Sequence, residues 1–213
     1  MPAPFPKSRI EALTDGIFAV TMTLLVLDLR LPAEPADPAR LADALLALLP
    51  RVDDYAISFL VLCVFWIAHM SLLRLLHGVD RGFVWLNLLF LLFTTFVPPL
   101  TAFVDHNASR PEAALLYGSN LLAIIVLEAG LWRRGLFRLA GLPRHEAMAM
   151  WRVARRRSLM AAAVFAAGIV LALLEIETRT ELRFAPYFYL LVLAAGMLRP
   201  VIRRPSAAGD DDR

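Results

Sequence analysis

The 213-residue chain is 59% hydrophobic and 19% charged, with a mean hydropathy of +0.63. Its apolar residues fall in long blocks, which excludes an ordinary soluble domain. A formal net charge of only +3 provides no field for a nucleic-acid partner, and the single cysteine, Cys63, excludes an internal disulfide or cysteine-rich metal site.

A helix needs about 20 apolar residues to cross the hydrocarbon of a bilayer, and the blocks predict an all-α integral membrane protein with six spans. The opening stretch, MPAPFPKSRIEALTDG, lacks the pattern of a cleavable signal, so the first span is expected to act as its own insertion signal. That span is read over residues 10–31 and ends at Pro32; Pro35 and Pro38 then deny the following loop a long helix. Leu41–Leu49 is a short apolar stretch expected at the membrane surface. The second span is read over 54–76, the third over 82–104 and the fourth over 111–132. An arginine-rich connection, Arg133 to Arg157, leads to a fifth span over 158–174, and a sixth covers 184–202. Residues 1–204 thus form one transmembrane domain, and the polar tail, 205–213, is expected to be disordered.

The distribution of basic residues orients this layout. With the N-terminus inside, 16 of the 22 lysines and arginines fall on inner segments and 6 on outer ones. Lys7 is the one lysine; the arginine- and alanine-rich composition suggests a bacterial chain. The bias places both termini in the cytoplasm, in a cell inner membrane or plasma membrane. It also requires an even number of spans. No repeat of the two three-helix halves is visible, which weakens an inverted-repeat transporter.

Polar groups at membrane depth are costly and face protein or water. The first span carries Thr14 and Asp15 near its inner end, the second Trp66 and His69, and the third Asn87. These five share the inner part of the bilayer and are expected to form a hydrogen-bonded cluster joining the first three spans. The fourth span carries Asn120 and Glu128. At about 100° per residue, with Val20 at the origin, Leu24 falls near 40°, Leu27 near −20° and Thr23 near −60°. Asp15 falls near −140°, on the far side. The first span therefore has an aliphatic ladder flanked by a threonine, and a carboxylate turned away from it toward its own subunit.

At these residues the chain resembles the transmembrane protein 175 family of potassium channels in its bacterial six-helix form. The family's R-x-x-x-F-S-D-G is matched by Arg9, Asp15 and Gly16, with Leu13 in place of Phe and Thr14 in place of Ser. The resemblance continues in FWIAH (Phe65 to His69), in LNLLFLLF (Leu86 to Phe93) with Pro98 and Pro99, and in YGSN (Tyr117 to Asn120). It implies a homotetramer with four copies of the first helix around a central pore and K+ as the permeant ion. It implies, further, rings of aliphatic side chains in place of a carbonyl filter. Carried over from the Asp15–Gly16 pair, the constriction falls on Val20, Leu24 and Leu27, with Thr23 as the polar pore-lining residue tied to cation preference. Val20 stands where Ile or Leu is usual, so its ring is expected to be wider. Arg9 belongs either to the inner pore mouth or to the Asp15 cluster, which on this resemblance comprises Arg9, Thr14, Asp15, Gly16, Trp66, His69 and Asn87.

Two other classes compete. A secondary transporter would couple protons through Asp15 and His69. An intramembrane enzyme or lipid-binding scaffold would use the arginine-rich MWRVARRR (Met150 to Arg157) against anionic headgroups. Enzyme signatures are absent: there is no H-E-x-x-H, no G-x-S-x-G and no phosphate loop. The chain is therefore expected to be a channel without a cofactor, its partners being membrane lipids and further copies of itself.

Overall fold

The structure, a computed structural model, describes residues 6–29, 43, 46, 48–107 and 110–178. The sixth span, most of the Leu41–Leu49 stretch and the tail lie outside the described residues. Within them the fold is all-helical: α1 (Lys7–Leu24), α2 (Leu49–Leu73), α3 (Arg81–Thr95), α4 (Val97–His106), α5 (Pro111–Arg134) and α6 (Arg144–Thr178). Four stretches among the described residues are long and apolar enough to cross a membrane: Lys7–Leu27, Arg51–Leu73, Arg81–His106 and Pro111–Leu139.

Each departure from the expected boundaries has a local cause. The α-helical part of the first span stops at Leu24 and tightens into a 3-10 turn, Leu25–Asp28, in which the Leu29 amide donates to Val26 O at 3.0 Å. The third span divides at Phe96. Pro98 and Pro99 have no N–H to give to the carbonyls four residues back, so the α-helical ladder is interrupted there. Thr94 and Thr95 turn their hydroxyls onto the carbonyls of Phe90 and Leu92 at 2.9 and 2.7 Å. Past Arg134, α5 ends in a π-turn, Gly135–Leu139, and Gly141 (φ 62°) reverses the chain.

The largest correction concerns residues 133–157. Read from charge as a connection, they hold a true connection only as far as Pro143: residues 133–134 end α5, 135–139 form the π-turn, and 144–157 provide the first four turns of α6, which begins at Arg144 and runs 35 residues. Alanine, methionine and arginine are strong helix formers, no Gly or Pro interrupts the chain between Pro143 and Gly168, and Glu146 in the first turn suits the helix dipole.

The helices pack as a bundle in which α1 lies on α2 and α3, α5 lies against α3 and α4, and α6 lies along α5. The core is one apolar cluster that includes Phe18, Leu62, Phe83, Phe90, Leu121, Ile124 and Leu131, all essentially without solvent contact. At the end of the bundle where α1 begins, two ties close it. Lys7 Nζ donates to Leu73 O at 3.2 Å, joining the start of α1 to the end of α2. Asp80 caps α3 by accepting from Phe83 N at 2.8 Å, and its two carboxylate oxygens take Arg134 Nε and Nη2 at 2.8 Å each. The Arg134 guanidinium beside Asp80 holds that carboxyl below the usual carboxylate range; burial opposes this, and the Phe83 amide adds to the lowering. A Cβ at Gly82 would overlap the Arg134 guanidinium, so a larger residue there would displace it.

A carboxyl whose folded pKa is depressed stabilises the fold above its unfolded pKa of about 3.9, and that stabilisation is lost as pH falls through the folded value. Asp80→Asn is therefore expected to lower the thermal stability of detergent-solubilised protein at neutral pH. The gap to the wild type should close as the medium is acidified below about pH 4. Gly82→Ala should mimic it by displacing Arg134, and a denaturation series against pH reads both.

Candidate functional site

The site is built on α1, whose residues divide cleanly between two faces. Ile10, Thr14, Phe18 and Thr21, followed by Leu25, point into the subunit and are buried. Val20, Leu24 and Leu27 point away, 56%, 44% and 70% exposed within the single subunit. Spacings of three and four residues along each set place the two faces about 120° apart. Because Leu27 lies on the 3-10 turn, three residues beyond Leu24, the two side chains eclipse rather than advance around the helix. Thr23 is exposed beside them and donates its hydroxyl to Val20 O at 2.8 Å, which leaves the oxygen lone pairs free to accept. Leu13 lies on the same stripe, 41% exposed.

Behind α1 the polar residues of the inner half fall into two groups. In the first, Trp66 Nε1 donates to Asp15 Oδ1 at 2.9 Å and Asn87 Nδ2 donates to Thr14 Oγ1 at 3.2 Å, so α1 is bound once to α2 and once to α3. Asp15 itself is exposed, and the residue turned into the subunit is its neighbour Thr14, fully buried. The far-side angle of Asp15 is real, yet it places the carboxylate at the edge of the packed face and not within it.

His69 departs from this group and looks the other way. Its Nδ1 lies 3.0 Å from Glu128 Oε2, and Trp132 Nε1 donates to Glu128 Oε1 at 3.1 Å. The imidazole stacks on Phe90 with centroids 4.9 Å apart and planes 9° from parallel, and Phe90 meets Phe18 of α1 at 6.0 Å. His69 and Glu128 are 0% and 5% exposed. His69 Nε2 and Asn87 Oδ1 are buried without a hydrogen-bond partner among the described residues. Asp15 and His69 thus belong to different hydrogen-bonded groups, with no bond between them.

Arg9 is exposed, and its guanidinium makes no hydrogen bond or ion pair to the described residues. Gly16 is exposed too, and a Cβ there would meet nothing within 4 Å. The residues that sequence reasoning left out of the cluster are Glu128 and Trp132. Depth held the signal. Glu128 lies toward the inner end of the fourth span, the level of His69, and Trp132 follows it by one helical turn. Toward the outer end, Thr101 Oγ1 donates to Ser58 Oγ at 3.0 Å and Ser58 Oγ lies 3.1 Å from the Tyr117 hydroxyl, joining α4, α2 and α5. Among the described residues no group of three or more His, Cys, Asp or Glu is placed to hold a metal ion.

With this geometry in view, the comparisons with known proteins agree with one another. The family described as endosomal/lysosomal potassium channel TMEM175 matches residues 9–98, a stretch that holds α1, α2, α3 and the start of α4. A potassium channel of Chamaesiphon minutus is 34% identical over 136 residues, which cover 62% of this chain and 67% of the relative. One from Streptomyces collinus is 34% identical over 130 residues, covering 59% of this chain and 63% of the relative. The crystal structure of a lysosomal potassium-selective channel TMEM175 homolog from Chamaesiphon minutus superposes with a TM-score of 0.67 at 29% identity. It covers 87% of this chain and 97% of that one.

Removing one partner of a buried polar pair leaves the other uncompensated, at a cost of about 1–3 kcal/mol. Glu128→Ala is expected to destabilise by that order, His69→Ala by less, and the two together by less than the sum. A double-mutant cycle from thermal or denaturant unfolding in detergent measures the coupling.

Proposed function

The chain belongs to the TMEM175 family of ion channels, and we propose that it is a potassium-permeable channel gated by a hydrophobic constriction on α1. The observation that carries the reading is the outward stripe of Val20, Leu24 and Leu27. It lies on a helix whose opposite face is fully engaged in packing and hydrogen bonds. The assembly is a homotetramer with six spans per subunit, both termini cytoplasmic, and four copies of α1 about the axis in a cell inner or plasma membrane.

Each ring acts through dewetting. An apolar ring narrower than a hydrated ion expels water and blocks the ion without any charged barrier, and a modest widening restores conduction. Because Leu24 and Leu27 eclipse, their rings stack as two consecutive barriers at one angular position, with Val20 a wider ring on their inner side. Thr23 presents a hydroxyl oxygen next to the constriction and contributes to cation preference. Gly16, open within one subunit, allows neighbouring copies of α1 to approach closely near the inner mouth. Asp15 and Thr14 hold α1 from behind through Trp66 and Asn87, so that the ladder keeps its direction as the rings widen. Lipid contact alone would also tolerate an exposed aliphatic stripe, and the decisive difference is flux.

Purified protein in liposomes with an outward potassium gradient is expected to give potassium flux. Leu24→Ala with Leu27→Ala should raise that flux severalfold and weaken discrimination against sodium, whereas Val20→Ile should lower it. Absence of cation flux from protein shown to be folded and inserted, unaltered by the double alanine variant, would rule the channel out. Saturable, proton-driven uptake of a solute would replace it with the transporter.

A further inference from the structure

The basic first turns of α6 present a surface that the packing of the described residues leaves open. Ala147, Ala154 and Phe165 fix the rotation of this helix, since all three are buried and α6 lies along α5. Counted round the axis from Ala154, Arg155, Met148, Leu159, Arg152 and Arg156 fall at about 100° to 200°, the side opposite the packed one. The arginines are exposed, and Met148 and Leu159 are 47% and 57% exposed. Among the described residues no carboxylate pairs with Arg152, Arg155 or Arg156.

Length sets the depth of this face. A 35-residue helix is about 52 Å long, against about 30 Å of hydrocarbon, so a substantial part of α6 lies outside the apolar layer. Arg157 is the last basic residue before an uncharged run from Ser158 to Leu174, which assigns the excess to the basic end. With 158–174 as the fifth span of the six-span reading, the arginines lie at headgroup level. Side chains on a helix lean toward its N-terminus, here away from the hydrocarbon, which suits arginine stems buried beside Met148 and Leu159 with guanidinium groups in the polar layer. Planar guanidinium forks match phosphate oxygens bidentately.

We propose that Arg152, Arg155 and Arg156, flanked by Met148 and Leu159, form a docking face for the phosphodiester headgroups of anionic phospholipids in the inner leaflet. The inference rests on the membrane-spanning, N-terminus-inside reading but not on ion conduction. The face is rigid because it belongs to a packed helix; a flexible arginine loop would set insertion direction without holding a lipid. Topology does not depend on these three residues, because 13 inner basic residues against 6 outer ones remain when they are removed.

The test titrates full-length detergent-solubilised protein with phosphatidylglycerol, phosphatidylcholine and inorganic phosphate, and follows retained lipid by native mass spectrometry. The wild type is expected to retain phosphatidylglycerol over phosphatidylcholine, with inorganic phosphate failing to displace it and salt weakening it. Arg152→Gln/Arg155→Gln/Arg156→Gln should weaken retention on the order of a hundredfold, roughly fivefold per arginine. Arg156→Gln alone gives the fivefold step where the triple variant does not fold. Arg133→Gln/Arg138→Gln, which removes charge from α5 and its π-turn, should keep retention close to wild type. Equal retention by the triple variant, displacement by inorganic phosphate, or an altered oligomer mass (the mark of a contact between copies) would each overturn the proposal. Potassium flux measured in phosphatidylcholine vesicles separates this outcome from a failure of the channel reading.

Discussion

A carboxylate inside a membrane-spanning helix must find its donors within the protein, and in this chain that requirement organises the bundle. Glu128, 5% exposed on α5, accepts from Trp132 one turn along its own helix and meets His69 of α2. The pair ties α2 to α5. His69 in turn stacks on Phe90 of α3, and Phe90 packs on Phe18 of α1. The position of α1 is thus set through aromatic contacts that trace back to one buried acid.

What this achieves for α1 is a strict division of labour. Its packed face carries Thr14 to Asn87 and Phe18 to Phe90, and its edge carries Asp15 to Trp66. The remaining third of the circumference is free of packing among the described residues, and from Leu13 to Leu27 it carries aliphatic side chains and Thr23, with Arg9 on the same stripe near the start of the helix. Between Leu13 and Leu27 the polar side chain on that third is Thr23, whose hydroxyl its own helix satisfies. A surface of this kind suits a gate that works by excluding water. The clamp of Asp80 and Arg134 and the tie from Lys7 to Leu73 join the helix ends near the start of α1.

Much of this was legible in the residues. Block length announced the membrane spans, and period marked the ladder of Val20, Leu24 and Leu27. Depth brought Thr14 near Asn87 and Asp15 near Trp66. Two features escaped because the signal used was the wrong one. Charge made residues 144–157 look like a connection, although their alanines, methionines and arginines favour a helix. His69 was grouped with Asp15 by depth alone, while the acid that binds it lies at the same level on α5. The stop of α1 at Leu24 and the following 3-10 turn depend on local hydrogen bonds that periodicity does not encode.

In the proposed channel the free face of α1 meets the ions. Thiol block tests it directly. In a Cys63→Ser background, single cysteines at Val20, Leu24 and Leu27 are modified with a water-soluble cationic thiol reagent during flux. Matching cysteines at Val126 of α5 and Leu92 of α3, which are exposed on the subunit, serve as references. Modification at Leu24 or Leu27 is expected to stop the current while Val126 and Leu92 stay silent. Current unaffected at all three α1 positions but blocked at Leu92 would place another helix on the ion path and contradict it.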